Sequence, residues 1–453
     1  MSVFGTQTPD RSIGIGDIIR ISWPLTISML SFTAMSLADT LFVSWLGTTH
    51  LAAIGLASIT TFAFTAMGMG LLAGIKILTG LRTGESPGAN TGIYLWQAIW
   101  IAAGLGLIGL TISPLAQVGF RLLSSNPEIQ LLGATYLQIR LLGAPFTLLL
   151  VGLDQWYQGR GDTRTPMVAI VSANVLNICM DPVLIFGFGP IPALGMKGAA
   201  LATLLSWAVG AVGLLIYSRK HLKKSRPELR TDILWKAINL GLPLAFQRVL
   251  GVFGFLLFSV LLGMCGDAHL AAHVMVIRVV SVSFLPGHAI GEGASILVSQ
   301  RLGAGREDQS REAWGAANRL ALIIMCSCAI AFIGIPDLFM QPFQVEPEVA
   351  AIGRQLLLIA GIFQIFDALA MVGLSALAGA GDTRFSMMIT VSSLWLINLP
   401  FAALFAVGLG MGAPGAWIAM TFEIALIAGL SAWRIYTGRW TALTHRRKLS
   451  QKL

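Results

Sequence analysis

Charge is what this chain has least of. Only 11% of its 453 residues are charged, while 55% are hydrophobic; a soluble domain carries about 25% charged residues. That scarcity excludes an ordinary soluble protein. Cysteine is scarce as well. Cys179, Cys265, Cys326 and Cys328 fall within or beside hydrophobic segments and form no CxxC, so neither a disulfide framework nor a zinc site is expected. The sequence contains no HExxH, no acyl-transfer elbow and no GxxxxGK[ST] phosphate loop. An enzyme, a cofactor, a resident metal and direct ATP drive are therefore not expected.

What the chain does have is apolar length. Segments able to cross a bilayer recur from end to end, and their spacing predicts twelve spans between residues 16 and 435. The fold class expected is all-α and polytopic in the membrane. The net charge of +9 sits in short polar segments: RKHLKKSRPELR at 219–230, the stretch with Arg301, Arg306 and Arg311, and the tail THRRKLSQKL. This is the positive-inside pattern and not a nucleic-acid surface. It places both termini in the cytoplasm, and short termini and compact loops suit a prokaryotic inner membrane.

The chain repeats itself. GRGDTR at 159–164 returns as GAGDTR at 379–384, HLAA at 50–53 returns at 269–272, and WPL at 23–25 returns as LPL at 242–244. Six spans per repeat bring each half back to the same side. The halves are thus expected as two six-helix lobes related by a pseudo-two-fold axis along the membrane normal, with a substrate cavity between them. The expected division is a cytoplasmic segment 1–15, a first lobe 16–218, a basic linker 219–233, a second lobe 234–436 and a basic tail 437–453. In the repeated GDTR loops, Gly161 and Gly381 suit a tight turn, and Asp162 and Asp382 are expected to cap the helices that follow.

One stretch stands out inside a span. In NVLNICMD, Asn174, Asn177 and Asp181 fall on one helical face. A second acid, Asp39, lies in the first span. An ionisable group at membrane depth costs about 2.5–3.5 kcal/mol even on the lower scales, and faces a protein interior or a wet cavity. Two acids beside two amides suit a cation or proton site; a polar clamp between helices is the structural alternative. Proton sharing and sodium coordination at Asp39 and Asp181 both remain open from the residues alone.

The twin GDTR loops, the RGDTRTPM start of the fifth span, the NVLN…D stripe and SQRLGAG at the end of the eighth span resemble the multidrug and toxic compound extrusion (MATE) transporters, closer to their DinF-like branch. The resemblance covers nearly the whole chain. It implies a V of two six-helix lobes that exports organic cations and other compounds in exchange for protons or sodium. It implies coupling roles for Asp39, Asn177 and Asp181, with Asn174 extending their face. It also implies a cavity position for Asp154 and a protonation-linked bend at Pro24. The repeat offset sets Phe258 opposite Asp39, Ile397 opposite Asn177 and Phe401 opposite Asp181, so the cluster is expected in the first half alone. In the second half the acid expected in the seventh span of the other branch falls at Gly251, while Asp367 matches that branch's further acid.

Arg278, Glu292 and Asp367 are the remaining cavity candidates, with Arg278 and Asp367 expected as a buried ion pair. Lys76 is expected to snorkel, and Arg140 and Arg354 to reach the outer headgroups. The function expected is a monomeric secondary antiporter exporting small organic, cationic compounds in exchange for protons, with sodium as the other ion. A flippase for lipids or lipid-linked precursors is the alternative, and would call for a more basic cavity.

Overall fold

The computed structural model describes residues 12–86, 88–343 and 346–441. Residues 1–11 of the N-terminal segment and 442–453 of the basic tail lie outside the described residues. In chain order the helices are α1 (Ile15–Ser44), α2 (Thr48–Glu85), α3 (Gly92–Ile112), α4 (Ala116–Leu123), α5 (Pro127–Leu142), α6 (Ala144–Gly159), α7 (Arg164–Phe186) and α8 (Met196–Leu222). They continue as α9 (Thr231–Met264), α10 (Asp267–Gly303), α11 (Glu307–Gly334), α12 (Pro336–Met340), α13 (Pro347–Gly379), α14 (Thr383–Ser393), α15 (Leu399–Ala402) and α16 (Gly412–Tyr436). No strand occurs among the described residues.

Among the described residues eleven helical stretches are long and apolar enough to span, and α5 with α6 makes a twelfth broken by a 49° bend. The sequence predicts one continuous span over 128–157. The break falls at Gly143–Ala144–Pro145, where the proline ring can neither donate to the preceding turn nor pack against it. Large apolar side chains such as Leu37, Trp45, Leu107 and Val282 lie on the outside, as a lipid-facing surface requires.

Contacts divide the chain into two compact units, Ile27–Ala245 in one, and the chain up to Thr26 together with Phe246 onward in the other. Each division falls just past a proline, Pro24 in α1 and Pro243 in α9. The opening turns of each half therefore pack in the unit formed by the rest of the other half. Ser22 of α1 packs against Gly293 of α10, and the Ile13 amide donates to Glu312 at 3.0 Å.

In the Ile27–Ala245 unit, α9 approaches α2 closely at small residues. A Cβ on Gly74 would lie 2.0 Å from the Ala237 carbonyl oxygen, one on Gly241 2.1 Å from the Leu71 carbonyl oxygen, and one on Gly70 2.4 Å from Ala245 Cα. Gly70 and Gly74, and Ala237, Gly241 and Ala245, each recur at four-residue spacing. Small residues at this spacing let backbones touch, which is how apolar helices associate where lipid removes the hydrophobic drive.

The twin GDTR loops share a backbone but differ in what their acids do. Gly161 and Gly381 have φ +79° and +84°, the left-handed region that glycine enters without cost. Asp162 accepts from the Thr165 amide at 3.1 Å and the Thr165 hydroxyl at 2.7 Å, so it caps α7 as expected. Asp382 does not cap α14. The residue corresponding to Thr165 is Phe385, which brings no hydroxyl, and Arg434 of α16 instead donates to Asp382 at 2.8 Å while lying 4.5 Å over the Phe385 ring.

Candidate functional site

In the Ile27–Ala245 unit, α1 and α7 face each other through their polar stripes. Asn174 Nδ2 donates to Ser31 Oγ at 2.8 Å. Eight residues further along α1, Asp39 meets the other two stripe residues. With the Asn177 amide oriented to satisfy both its ends, Nδ2 donates to Asp39 Oδ1 at 2.9 Å and Oδ1 accepts from the Thr203 amide of α8 at 3.2 Å. The Asp39 and Asp181 carboxyls are close enough for each to act on the other. No N–H or hydroxyl donor among the described residues reaches either Asp181 oxygen. Asp181 and Asn177 are 0% exposed and Asp39 7%.

Two adjacent buried carboxyls do not both ionise cheaply. The pair is therefore suited to holding one proton. Just past Asp181, Pro182 lies inside α7 and offers no N–H to the Ile178 carbonyl.

Two side chains that the sequence reading placed elsewhere, or passed over, complete the cluster. Tyr136 of α5 is buried and lies within electrostatic reach of both carboxyls. Arg140, one turn further on, is the cation whose charge acts on Asp39. It sits in the last turn of α5, beside the 49° break in the middle of the fourth span, and shares a small cavity with Thr61, Thr65 and Thr147. An arginine three residues before Gly-Ala-Pro inside a long apolar run was the signal available in the sequence.

The other candidates disperse. Asp154 stays on α6, accepting from Gln158 at 2.8 Å. Lys76 is buried in α2 instead of snorkelling. Arg354 pairs with Asp337 next to the loop expected outside. In the other unit the expected Arg278–Asp367 pair does not form: Asp367 of α13 is buried with one carboxyl oxygen unpartnered, whereas α10 turns Arg278 to the exposed side. Glu292 lies 3.9 Å from Arg248 of α9. Among the described residues no three His, Cys, Asp or Glu gather as a metal site.

The second half is also not bare of such chemistry. Asn398 Nδ2 donates to Glu423 of α16 at 2.5 Å, both residues being buried. The constant repeat offset missed this, because the helix carrying Asn398 contains two π-helical stretches, Leu394–Asn398 and Ala403–Gly408. A π turn inserts a residue. Past the first one, Gly415 packs on Phe405 as Gly198 packs on Leu184. The offset there is one more than the 220 of the GDTR loops, so Asn398, and not Ile397, stands where Asn177 stands, and Ala402 where Asp181 stands.

The MatE family model matches residues 24–183 and 243–404. A probable multidrug resistance protein NorM of Thermotoga maritima is 28% identical over 94% of this chain and 92% of its own length. An FAD transporter of Shewanella oneidensis is 27% identical over 85% of this chain and 87% of its own. Among solved structures, an outward-facing multidrug resistance MATE family transporter superposes with a TM-score of 0.86 at 22% identity, covering 95% of this chain and 97% of that one. At that identity the likeness establishes the fold, an all-helical one of the MATE type.

Proposed function

Because the chain belongs to the MatE family, we propose that it exports small organic cations across a prokaryotic inner membrane in exchange for protons, as a monomer with both termini in the cytoplasm. The observation that carries this reading is the Asp39–Asp181 carboxyl pair, buried and braced by Asn177. With one proton, the two carboxyls and Arg140 are together neutral. With none, they carry one net negative charge. Like charges about 4 Å apart repel by on the order of 4 kcal/mol at an effective dielectric constant near 20, so the empty pair takes either a proton or a cation.

A cationic substrate and a proton thus compete for one site. Competition of this kind suffices for antiport when the protein alternates between two accessible states, since each ligand shifts the balance only by its differential affinity for them. The Asn177 amide can donate to a carboxylate or accept from a carboxylic acid, so it can serve either charge state of Asp39. The balance of two acids to one arginine weighs against a phosphate-holding flippase cavity. The Asp39–Asp181 pair resembles the ion site of the DinF-like branch more than an acid in the seventh span, where Gly251 stands.

Ion choice is tested by reconstitution. Purified protein in liposomes, loaded with a fluorescent cation such as ethidium, is given a proton gradient or a sodium gradient alone. Accumulation driven by the proton gradient without sodium is the expected result. Accumulation under sodium alone, with none under protons, overturns the proton assignment.

A further inference from the structure

Glu423 is an acid at membrane depth that neither the sequence argument nor the proposed exchange site uses. It lies 5% exposed in α16 and makes no ion pair among the described residues. An acid in that setting is not left charged without a partner, because the desolvation penalty runs to several kcal/mol. Its partner is an amide, Asn398, which donates to one of its oxygens while its own Oδ1 is buried and receives nothing. That empty acceptor is what a protonated carboxyl needs. In the carboxylate state Asn398 donates through Nδ2; in the acid state a turn of the same amide lets Oδ1 accept the carboxyl O–H. One side chain thus serves both protonation states of Glu423.

Two further observations point the same way. Asn398 occupies the position of Asn177, the amide that braces Asp39, as the packing of Gly415 on Phe405 and of Gly198 on Leu184 establishes. The acid, though, comes from a different helix: α16 supplies it, at the position of Ser206 on α8. Asn398 also closes a π-helical stretch, a distortion that costs helix geometry and recurs at functional sites. The surroundings are quiet electrostatically. α13 brings Asp367 and α10 brings His273, whose Nδ1 accepts from Trp417 at 3.2 Å. Arg278 on α10 and Arg384 on α14 are exposed, and Arg434 on α16 is engaged by Asp382. None of these groups is paired with Glu423.

We propose that Glu423, held by Asn398, is a second proton-carrying carboxyl, seated in the second half of the chain and separate from the Asp39–Asp181 pair. The inference rests on the proton-coupled reading above in that its proton enters the same exchange. Glu423 would then set the number of protons moved per substrate, while Asp39 and Asp181 set the competition with substrate.

The direct test is pH-difference infrared spectroscopy on the purified full-length protein. The wild type is expected to show a titrating protonated-carboxyl band, part of which is lost in Glu423→Gln and retained in the Asp39→Asn, Asp181→Asn double variant. Asn398→Leu, which leaves the acid in place, is expected to shift the midpoint of that part. In liposomes, Glu423→Gln is expected to lower the steady-state substrate ratio about tenfold per pH unit of gradient, the worth of one proton. Superimposable spectra for wild type and Glu423→Gln overturn the proposal. A wild type indifferent to the proton gradient refutes the exchange reading instead, and the infrared comparison still decides Glu423.

Discussion

Asp181→Asn is expected to abolish proton-driven accumulation while leaving the protein folded. The asparagine keeps the volume of the acid and can donate to Asp39. What disappears is the exchangeable proton. Each coupled proton sustains a substrate ratio of about tenfold per pH unit, and without coupling the ratio falls to about one. Asp39→Asn is expected to do the same by a second route, since Asn177 then donates to a neutral oxygen and Arg140 loses its counter-charge. Fluorescent-cation accumulation under an imposed pH gradient measures both. Wild-type ratios in both variants would remove these residues from the mechanism.

The largest expected effect on stability lies away from the site, where α9 crosses α2. Gly74→Ala places a Cβ 2.0 Å from a carbonyl oxygen and Gly241→Ala one 2.1 Å from another. The obstacle in each case is backbone, so no rotamer change relieves it and a helix must move. Overpacking of this kind costs about 1–3 kcal/mol or more, and here it separates helices that touch backbone to backbone. Gly213→Ala on α8, with nothing within 4 Å, is the matched control and gains about 1 kcal/mol of helix propensity. Thermal unfolding of the purified protein should show a marked fall in Tm for the first two variants and none for the control. Equal Tm values in all three would mean that the crossing does not hold the unit together.

The parts of the site that were legible in the sequence are those whose signal is local. Asn174, Asn177 and Asp181 are polar residues at helical spacing in an apolar run, and Asp39 is a lone acid in another. Burial cost alone makes such residues conspicuous. Arg140 was legible as a charge but not as a neighbour of Asp39, because its depth depends on the break at Gly143–Pro145, which makes the last turn of α5 the middle of a span and not its outer end. Tyr136 and Thr203 carried no signal, being ordinary residues made relevant by what they pack against. Asn398 and Glu423 were hidden differently. Repeat arithmetic assumes an unbroken register, and the π-helical stretch at Leu394–Asn398 shifts it by one residue, enough to put isoleucine where asparagine stands. The twelve-span fold followed from apolar length and the repeats. The crossing of α1 and α9 into the unit of the opposite half did not, since connectivity in sequence says nothing of which neighbours a helix end chooses.

If Asp39 and Asp181 hold a proton that a cationic substrate displaces, binding releases protons, which a pH indicator reads in weakly buffered detergent solution as ethidium is added to the purified protein. The wild type is expected to release protons in step with binding, and Asp39→Asn to bind weakly with no release. Equal release from both would contradict that displacement.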